Sequence, residues 1–399
     1  MDIGFGEAVL IFGGLLTAVA ALSGVMKGTV LSASVLSVAL GALLAAVGVI
    51  DVDPKSESIV KLVELALILT LFSDGMFVER ELLRQHWSPV ARALVIAMPI
   101  TMALLGLAAK ALFPDLSWAE ALLLGAVLSP TDPVVTSAVV TSRIVPASVR
   151  HTLNLESGLN DGLALPFVLF FLVLATPGGD PGGEAAKLFG EALFGAAVGI
   201  GLGTLGGRLH HHLPGGGLTA RYEGIYSIGF ALFAFGLADV TIGNGLIAAF
   251  VCGIALAATE KEVPAGFVEF AENTSAILQV LTFFVFGALI VATGFHHSIP
   301  PLVLFVVFAL IVARPLAVVV SFVKTGIPRP QKLFMAWFGP KGVASMLFAL
   351  FVLKSDVTDG SLIFDVAAIA IICSIVAHGL TDTVGAKWLA RRVGLDRAR

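Results

Sequence analysis

Two short stretches of the chain hold the residue types that could do chemistry. The first is Ser129-Pro130-Thr131-Asp132-Pro133. Two prolines three residues apart cannot both lie inside a regular helix without loss of backbone hydrogen bonds. The spacing predicts an unwound segment with free carbonyl and amide groups. Asp132 is placed to stabilise the N-terminus of the helix that resumes after the break. The second stretch is Asn154-Leu155-Glu156-Ser157-Gly158-Leu159-Asn160-Asp161. On a helix Ser157 and Asp161 share one face, while Glu156 and Asn160 share its neighbour. The first face offers a hydroxyl and a carboxylate, hard oxygen ligands suited to a small cation. The second offers a carboxylate that needs a cationic partner.

Three further charges lie in apolar surroundings. Arg314 stands in Ala-Arg-Pro-Leu-Ala and must be paired there, with Glu156 as the best candidate. Removing either partner alone leaves an uncompensated buried charge. Asp74, in Leu-Phe-Ser-Asp-Gly, is a further candidate oxygen ligand, although Glu79 and Arg80 place it near a surface. Lys341, in Gly-Pro-Lys-Gly, predicts a second broken helix whose half-helix C-terminal carbonyls the ammonium could neutralise. The alternative for Lys341 is snorkelling to the surface.

The elements that must position these groups follow from composition. Of 399 residues, 57% are hydrophobic and only 13% charged, and the net charge is -4. A soluble globular chain is about 45–50% apolar and about 25% charged. A water-soluble globule and a disordered chain are both excluded, and no basic cluster suits nucleic acid. Thirteen apolar runs approach the roughly 20 residues that a spanning helix needs. They lie near 8–25, 29–50, 58–76, 90–113, 119–140, 151–175, 186–206, 221–239, 241–259, 266–294, 299–323, 332–353 and 361–388. The first is read as a mature helix rather than a signal peptide, because Asp2 and Glu7 precede it without a basic residue. Lys and Arg residues concentrate after the odd-numbered runs, from Lys27 to the tail with Lys387, Arg391, Arg392, Arg397 and Arg399. The other face holds only Lys55, Lys61, Lys110, Lys187 and Lys354. By the positive-inside rule the N-terminus is expected outside and the C-terminus in the cytoplasm. The fold class is an all-α polytopic membrane protein. Two six-segment units joined by the seventh run would be inverted, because the offset is odd, with broken helices in segments 5 and 12.

Other polar residues read as ordinary. His210, His211, His212, His296 and His297 fall in loops, as do Glu260, Glu262, Asp356 and Asp359. His378 reads as a packing residue. Cys252 and Cys373 lie in apolar runs and show neither disulfide nor metal spacing.

Across most of its length the chain resembles the sodium/proton antiporters of the NhaP/NHE type, the first monovalent cation:proton antiporter family. The likeness rests on Leu-Phe-Ser-Asp-Gly, Ser-Pro-Thr-Asp-Pro-Val-Val, Glu-Ser-Gly-Leu-Asn-Asp-Gly, Ala-Arg-Pro-Leu, Gly-Pro-Lys-Gly and His-Gly-Leu-Thr-Asp. The motif ending in Asn160-Asp161 is the most specific. The resemblance implies that Asp161 binds cation and proton in alternation. Asp132, Ser157, Asp74 and the Thr131 carbonyl would complete the shell for Na+ (or K+ or Li+). Asn160 would be positioned by the Glu156–Arg314 pair. It also implies a homodimer in the cell membrane, no cofactor, and a core (about 90–175 and 299–388) moving against a dimerisation scaffold (about 8–76 and 186–294). Asp74 stands where the family often has Glu, and Lys341 where it usually has Arg.

The physical reading runs beside it. A carboxylate taken out of water favours its protonated form, so cation and proton compete for one site. One titrating Asp beside a neutral Asn predicts one proton per monovalent cation, hence electroneutral exchange. A channel would want a ring or carbonyl filter, which the single asymmetric cluster does not supply. A cation-coupled solute symporter shares the inverted plan. No catalytic signature of an intramembrane enzyme is present.

Overall fold

A computed structural model describes residues 5–26, 33–53, 56–76, 87–132, 142, 144–178, 181–210, 212, 218–259, 265–294 and 297–394. Pro133, Glu79, His211, His296, Glu260 and Glu262 lie outside the described residues. So do eight of the basic residues counted for orientation: Lys27, Lys55, Arg80, Arg84, Arg143, Lys261, Arg397 and Arg399.

Among the described residues all regular structure is helical, and each of the thirteen runs coincides with helix. We number the helices α1 (Phe5–Met26), α2 (Ala33–Ala46), α3 (Glu57–Met76), α4 (Trp87–Leu112), α5 (Trp118–Val127), α6 (Ala147–Ala175) and α7 (Pro181–His210). There follow α8 (Ala220–Asp239), α9 (Gly245–Thr259), α10 (Ala265–Thr293), α11 (Ile299–Ser321), α12 (Arg329–Trp337), α13 (Val343–Lys354) and α14 (Gly360–Val393). Among the described residues six stretches are long and apolar enough to cross a membrane: Trp87–Leu112, Ala147–Ala175, Ala186–Leu209, Asn273–Thr293, Ile299–Ser321 and Gly360–Val393. Shorter apolar helices include Ala33–Ala46, Trp118–Val127 and Val343–Lys354. Large apolar side chains such as Leu10, Val95, Phe189, Phe233 and Val384 face outward, as a hydrocarbon surround requires.

Helix α5 starts on a capping box. Ser117 Oγ accepts from the Glu120 amide at 3.2 Å, and Glu120 Oε2 accepts from the Ser117 amide at 2.8 Å. It stops where Pro130 has no N–H to give. Segment 12 is two helices, α12 and α13, separated at 338–342 around Gly339-Pro340-Lys341-Gly342. Helices α4 and α11 each contain one π turn, Ala93–Ala97 and Ala309–Ala313. Each π turn ends just before Met98-Pro99 or Arg314-Pro315. A proline removes an i→i−4 bond and crowds that carbonyl; the wider turn accommodates both losses within a continuous helix. The second π turn delivers Arg314.

Packing falls into two groups. In one, α2 packs on α10, α3 on α9 and α10, and α9 on α7 and α8. Gly195, Gly199 and Gly203 recur every fourth residue along α7, so an added Cβ would strike the Asn244, Ala248 and Cys252 carbonyls. Small residues at this spacing allow close helix approach in lipid. In the other group, α4 packs on α5 and α11, α5 on α6, α11 on α12 and α13 on α14. Helices α3, α6 and α13 meet between the groups.

Candidate cation site

The two breaks cross and satisfy each other. The Asp132 amide donates to the Pro340 carbonyl at 2.8 Å. Asp132 Oδ2 accepts from the Val343 amide, the first residue of α13, at 3.3 Å. Asp132 therefore caps the half-helix of segment 12. The expected cap within its own segment falls on residues outside those described. In return, Lys341 Nζ donates to the Pro130 carbonyl at 3.1 Å and lies 3.5 Å from that of Ser129. The ammonium sits where α5 ends, 3% exposed, which rules out snorkelling to the surface. Backbone groups laid bare by unwinding must find partners at membrane depth, and here each break provides them for the other. Gly342 makes room, because a Cβ there would overlap the Asp132 carboxylate.

Helix α6 presents its polar residues to the first break. Thr131 Oγ1 lies 3.1 Å from Ser157 Oγ and accepts from Asn160 Nδ2 at 2.7 Å. The Thr131 amide donates to Asn160 Oδ1 at 3.3 Å. Ser157 and Asn160 therefore meet one residue rather than lying on separate faces, because i, i+3 neighbours also overlap on a helix. Asn160 is held by both ends of its amide on Thr131, rather than by the ion pair that the family likeness implied. Glu156 Oε1 and Arg314 Nη1 pair at 2.9 Å, both buried. Arg314 Nη2 also donates to the Phe338 carbonyl at 3.3 Å.

Asp161 is 5% exposed, and its Oδ1 has no hydrogen-bond partner among the described residues. Asp74, Asp132 and Lys341 are the charges that act on it. Asp74 sits in the last turn of α3, where Gly158 of α6 packs against its backbone and Cβ. Two more buried oxygens without partners among the described residues lie on the same converging helices. Thr70 Oγ1 shares the face of Asp74 one turn earlier on α3, and Ser345 Oγ lies in the first turn of α13. Neither stood out in the sequence, since a lone hydroxyl in an apolar run gives no signal. Among the described residues no three His, Cys, Asp or Glu side chains converge as a metal centre. A cargo cation would meet mixed carboxylate and hydroxyl oxygens instead.

Two of the loop residues are not free. His297 Nδ1 lies 2.8 Å from Asp365 Oδ2 of α14. The Asp359 amide donates to Glu120 Oε1 at 3.1 Å and ties the start of α14 to that of α5.

The family described as sodium/hydrogen exchanger, transmembrane, matches residues 14–387. Over 332 residues the chain is 28% identical to the K(+)/H(+) antiporter NhaP of Alkalimonas amylolytica, covering 82% of this chain and 57% of that protein. Over 307 residues it is 28% identical to the probable Na(+)/H(+) antiporter C3A11.09 of Schizosaccharomyces pombe, covering 73% of this chain and 40% of that protein. The chain thus spans about half the length of the curated relatives it matches. Its fold is that of the sodium proton antiporter MjNhaP1 from Methanocaldococcus jannaschii at pH 8. The TM-score is 0.77 at 21% identity, over 96% of this chain and 97% of that one. With the match running from the first helix nearly to the end of the last, the chain belongs to the sodium/hydrogen exchanger family, a family of membrane transporters.

Proposed function

We propose that this chain exchanges a monovalent cation for a proton, with Asp161 carrying either one. The observation that carries the reading is Asp161 Oδ1, a buried carboxylate oxygen without a partner among the described residues, beside the crossed breaks. An ionised carboxylate cannot stay buried and uncompensated, so it takes up a proton or a cation. Ser157, Thr131, Asp132 and Asp74 offer the other oxygens. Asn160 orders Thr131, the Glu156–Arg314 pair contributes no net charge, and Lys341 holds the break and offsets one carboxylate.

If only an occupied site crosses, exchange is obligatory. One proton for one monovalent cation moves no net charge. The crossing is a displacement of the group built on α4, α5, α6 and α11–α14 against the group built on α2, α3 and α7–α10. The second group is also the surface for a homodimer. The protein resides in the cell membrane with its N-terminus outside, as the basic residues at the ends of the helices favour.

We take Na+ as the cargo. K+ is the second reading, favoured by the identity to a K(+)/H(+) antiporter. Proteoliposomes under an imposed pH gradient should show cation-dependent proton flux, lost in Asp161→Asn. Flux that survives the substitution overturns the assignment. A panel of Na+, K+ and Li+ chooses the cargo. A rate that changes when valinomycin and K+ clamp the potential overturns electroneutrality.

A further inference from the structure

His378 belongs to none of the groups just assigned, yet both of its ring nitrogens are engaged. It is 2% exposed, and Ser374, one turn before it on the same face, is 0% exposed. Five backbone groups at the break in segment 12 have partners from outside that segment. The Phe338 carbonyl takes Arg314, the Pro340 carbonyl takes the Asp132 amide, and the Val343 amide takes the Asp132 carboxylate. These three partners belong to the cation site. The other two groups go the opposite way, to α14. The Lys341 amide donates to Ser374 Oγ at 2.9 Å, and the Trp337 carbonyl faces His378 Nε2 at 2.9 Å.

Ser374 and His378 complete the connection between themselves. Ser374 Oγ is occupied as an acceptor by Lys341, so its proton is free to go to His378 Nδ1 at 3.2 Å. Nε2 faces the Trp337 carbonyl and Nδ1 faces the Ser374 carbonyl at 2.7 Å. A carbonyl only accepts, so each contact is a hydrogen bond where that nitrogen carries the proton, and the Nε2–H form makes the bond to Trp337 O. The Trp337 indole stacks on the imidazole at 5.3 Å between centroids.

We propose that Ser374 and His378 form a clasp that positions Lys341 by holding both sides of the break, Trp337 O and Lys341 N, to one turn of α14. The break is suspended between the cation site in front and this clasp behind. The clasp therefore sets where the Lys341 ammonium meets the Pro130 carbonyl. Ser374 and His378 are positioning residues, since neither touches the proposed cargo.

The transport test rests on the antiport reading, and the exchange test below does not. In proteoliposomes of the full chain, His378→Ala and Ser374→Ala should each shift the cation KM by about tenfold, the scale of one buried group left unpaired. His378→Gln, whose amide can reach Trp337 O, and Ser374→Thr should stay near the parent value. In a Lys341→Met background, which keeps the amide, His378→Ala should add nothing to the KM shift. Full additivity there, or an unchanged KM in both alanine variants, overturns the proposal. In the purified full chain, deuterium exchange of the Lys341 amide should quicken about tenfold in Ser374→Ala and His378→Ala, with the 118–127 amides unchanged. If the parent protein shows no cation-dependent flux, the antiport reading fails and the exchange measurement alone decides. An unchanged Lys341 amide then overturns the clasp.

Discussion

The two breaks have the same outline and opposite contents. Ser129-Pro130-Thr131-Asp132 and Gly339-Pro340-Lys341-Gly342 each follow the end of a helix, each hold a proline at the second position, and bond to each other where they cross. The first contributes hydroxyls and a carboxylate. The second contributes an ammonium and two positions without side chains. Those glycines are spaces already filled from elsewhere. A Cβ at Gly342 would overlap the Asp132 carboxylate, and one at Gly339 would overlap the Arg314 guanidinium. The division of labour follows from burial. Four carboxylates (Asp74, Asp132, Glu156 and Asp161) and an arginine cannot be crowded together unless one side of the crossing leaves room and brings further positive charge. A site of this kind is thus made by two unlike halves, and neither half is stable at membrane depth without the other.

The sharpest way to break the comparison is to exchange the two break-opening residues for alanine. Gly339→Ala drives a methyl into Arg314 and separates it from Glu156. Leaving a buried charge unpaired costs about 3–5 kcal/mol. Ser129→Ala removes one hydroxyl bond to the Ala126 carbonyl at 2.9 Å, worth about 0.5–1.5 kcal/mol. Thermal unfolding in detergent should show a large loss for the glycine variant and a small one for the serine variant. Equal losses would mean that the second break has slack the structure does not show.

The next test asks whether the halves depend on each other. Asp132→Asn keeps an acceptor for the Val343 amide and loses the charge at the N-terminus of α13, worth about 0.3–1 kcal/mol. Lys341→Met strips the Pro130 carbonyl of its donor, about 1–3 kcal/mol. Groups in one network do not add, and coupling of about 0.5–3 kcal/mol is expected in the double variant. Strict additivity in unfolding midpoints would show that the breaks are independent.

How much of this was legible in the sequence depends on which groups carry the information. The thirteen apolar segments, both breaks and the Glu156–Arg314 pair follow from side chains: runs of apolar residues, prolines, and charges too costly to bury alone. That Lys341 neutralises helix-end carbonyls follows from the same cost, but the carbonyls are those at the end of α5 and not those of its own segment. The contacts that assemble the site are different, because one partner is so often backbone. Nothing in Pro340 announces that its carbonyl takes the Asp132 amide, and nothing in Trp337 announces His378. The cap that Asp132 makes on α13 goes unannounced for the same reason, since an N-cap is local in sequence only when the chain is not crossing itself. The second half of segment 5, beyond Asp132, lies outside the described residues, so the counterpart of α13 is not part of this comparison.

The smallest effect lies at the outer ends of the helices flanking the breaks. Glu120 closes the capping box of α5 and accepts from the Asp359 amide, so one carboxylate joins the N-terminal ends of α5 and α14. Burial, with Glu120 and Asp115 close by, pushes the Asp359 carboxyl above the usual Asp range. A carboxyl raised in the folded state binds its proton more tightly there than in the unfolded chain. Its contribution to stability is therefore present in acid and lost as pH rises through the folded value. Asp359→Asn removes a charge that the fold disfavours and leaves the amide bond to Glu120 in place. The variant should match the parent protein's unfolding midpoint in acid and exceed it slightly above neutrality. The gain should be within about 0.5 kcal/mol, as for other partly exposed groups. A loss in acid instead would mean that Glu120 holds the protonated Asp359 carboxyl as well as its backbone amide.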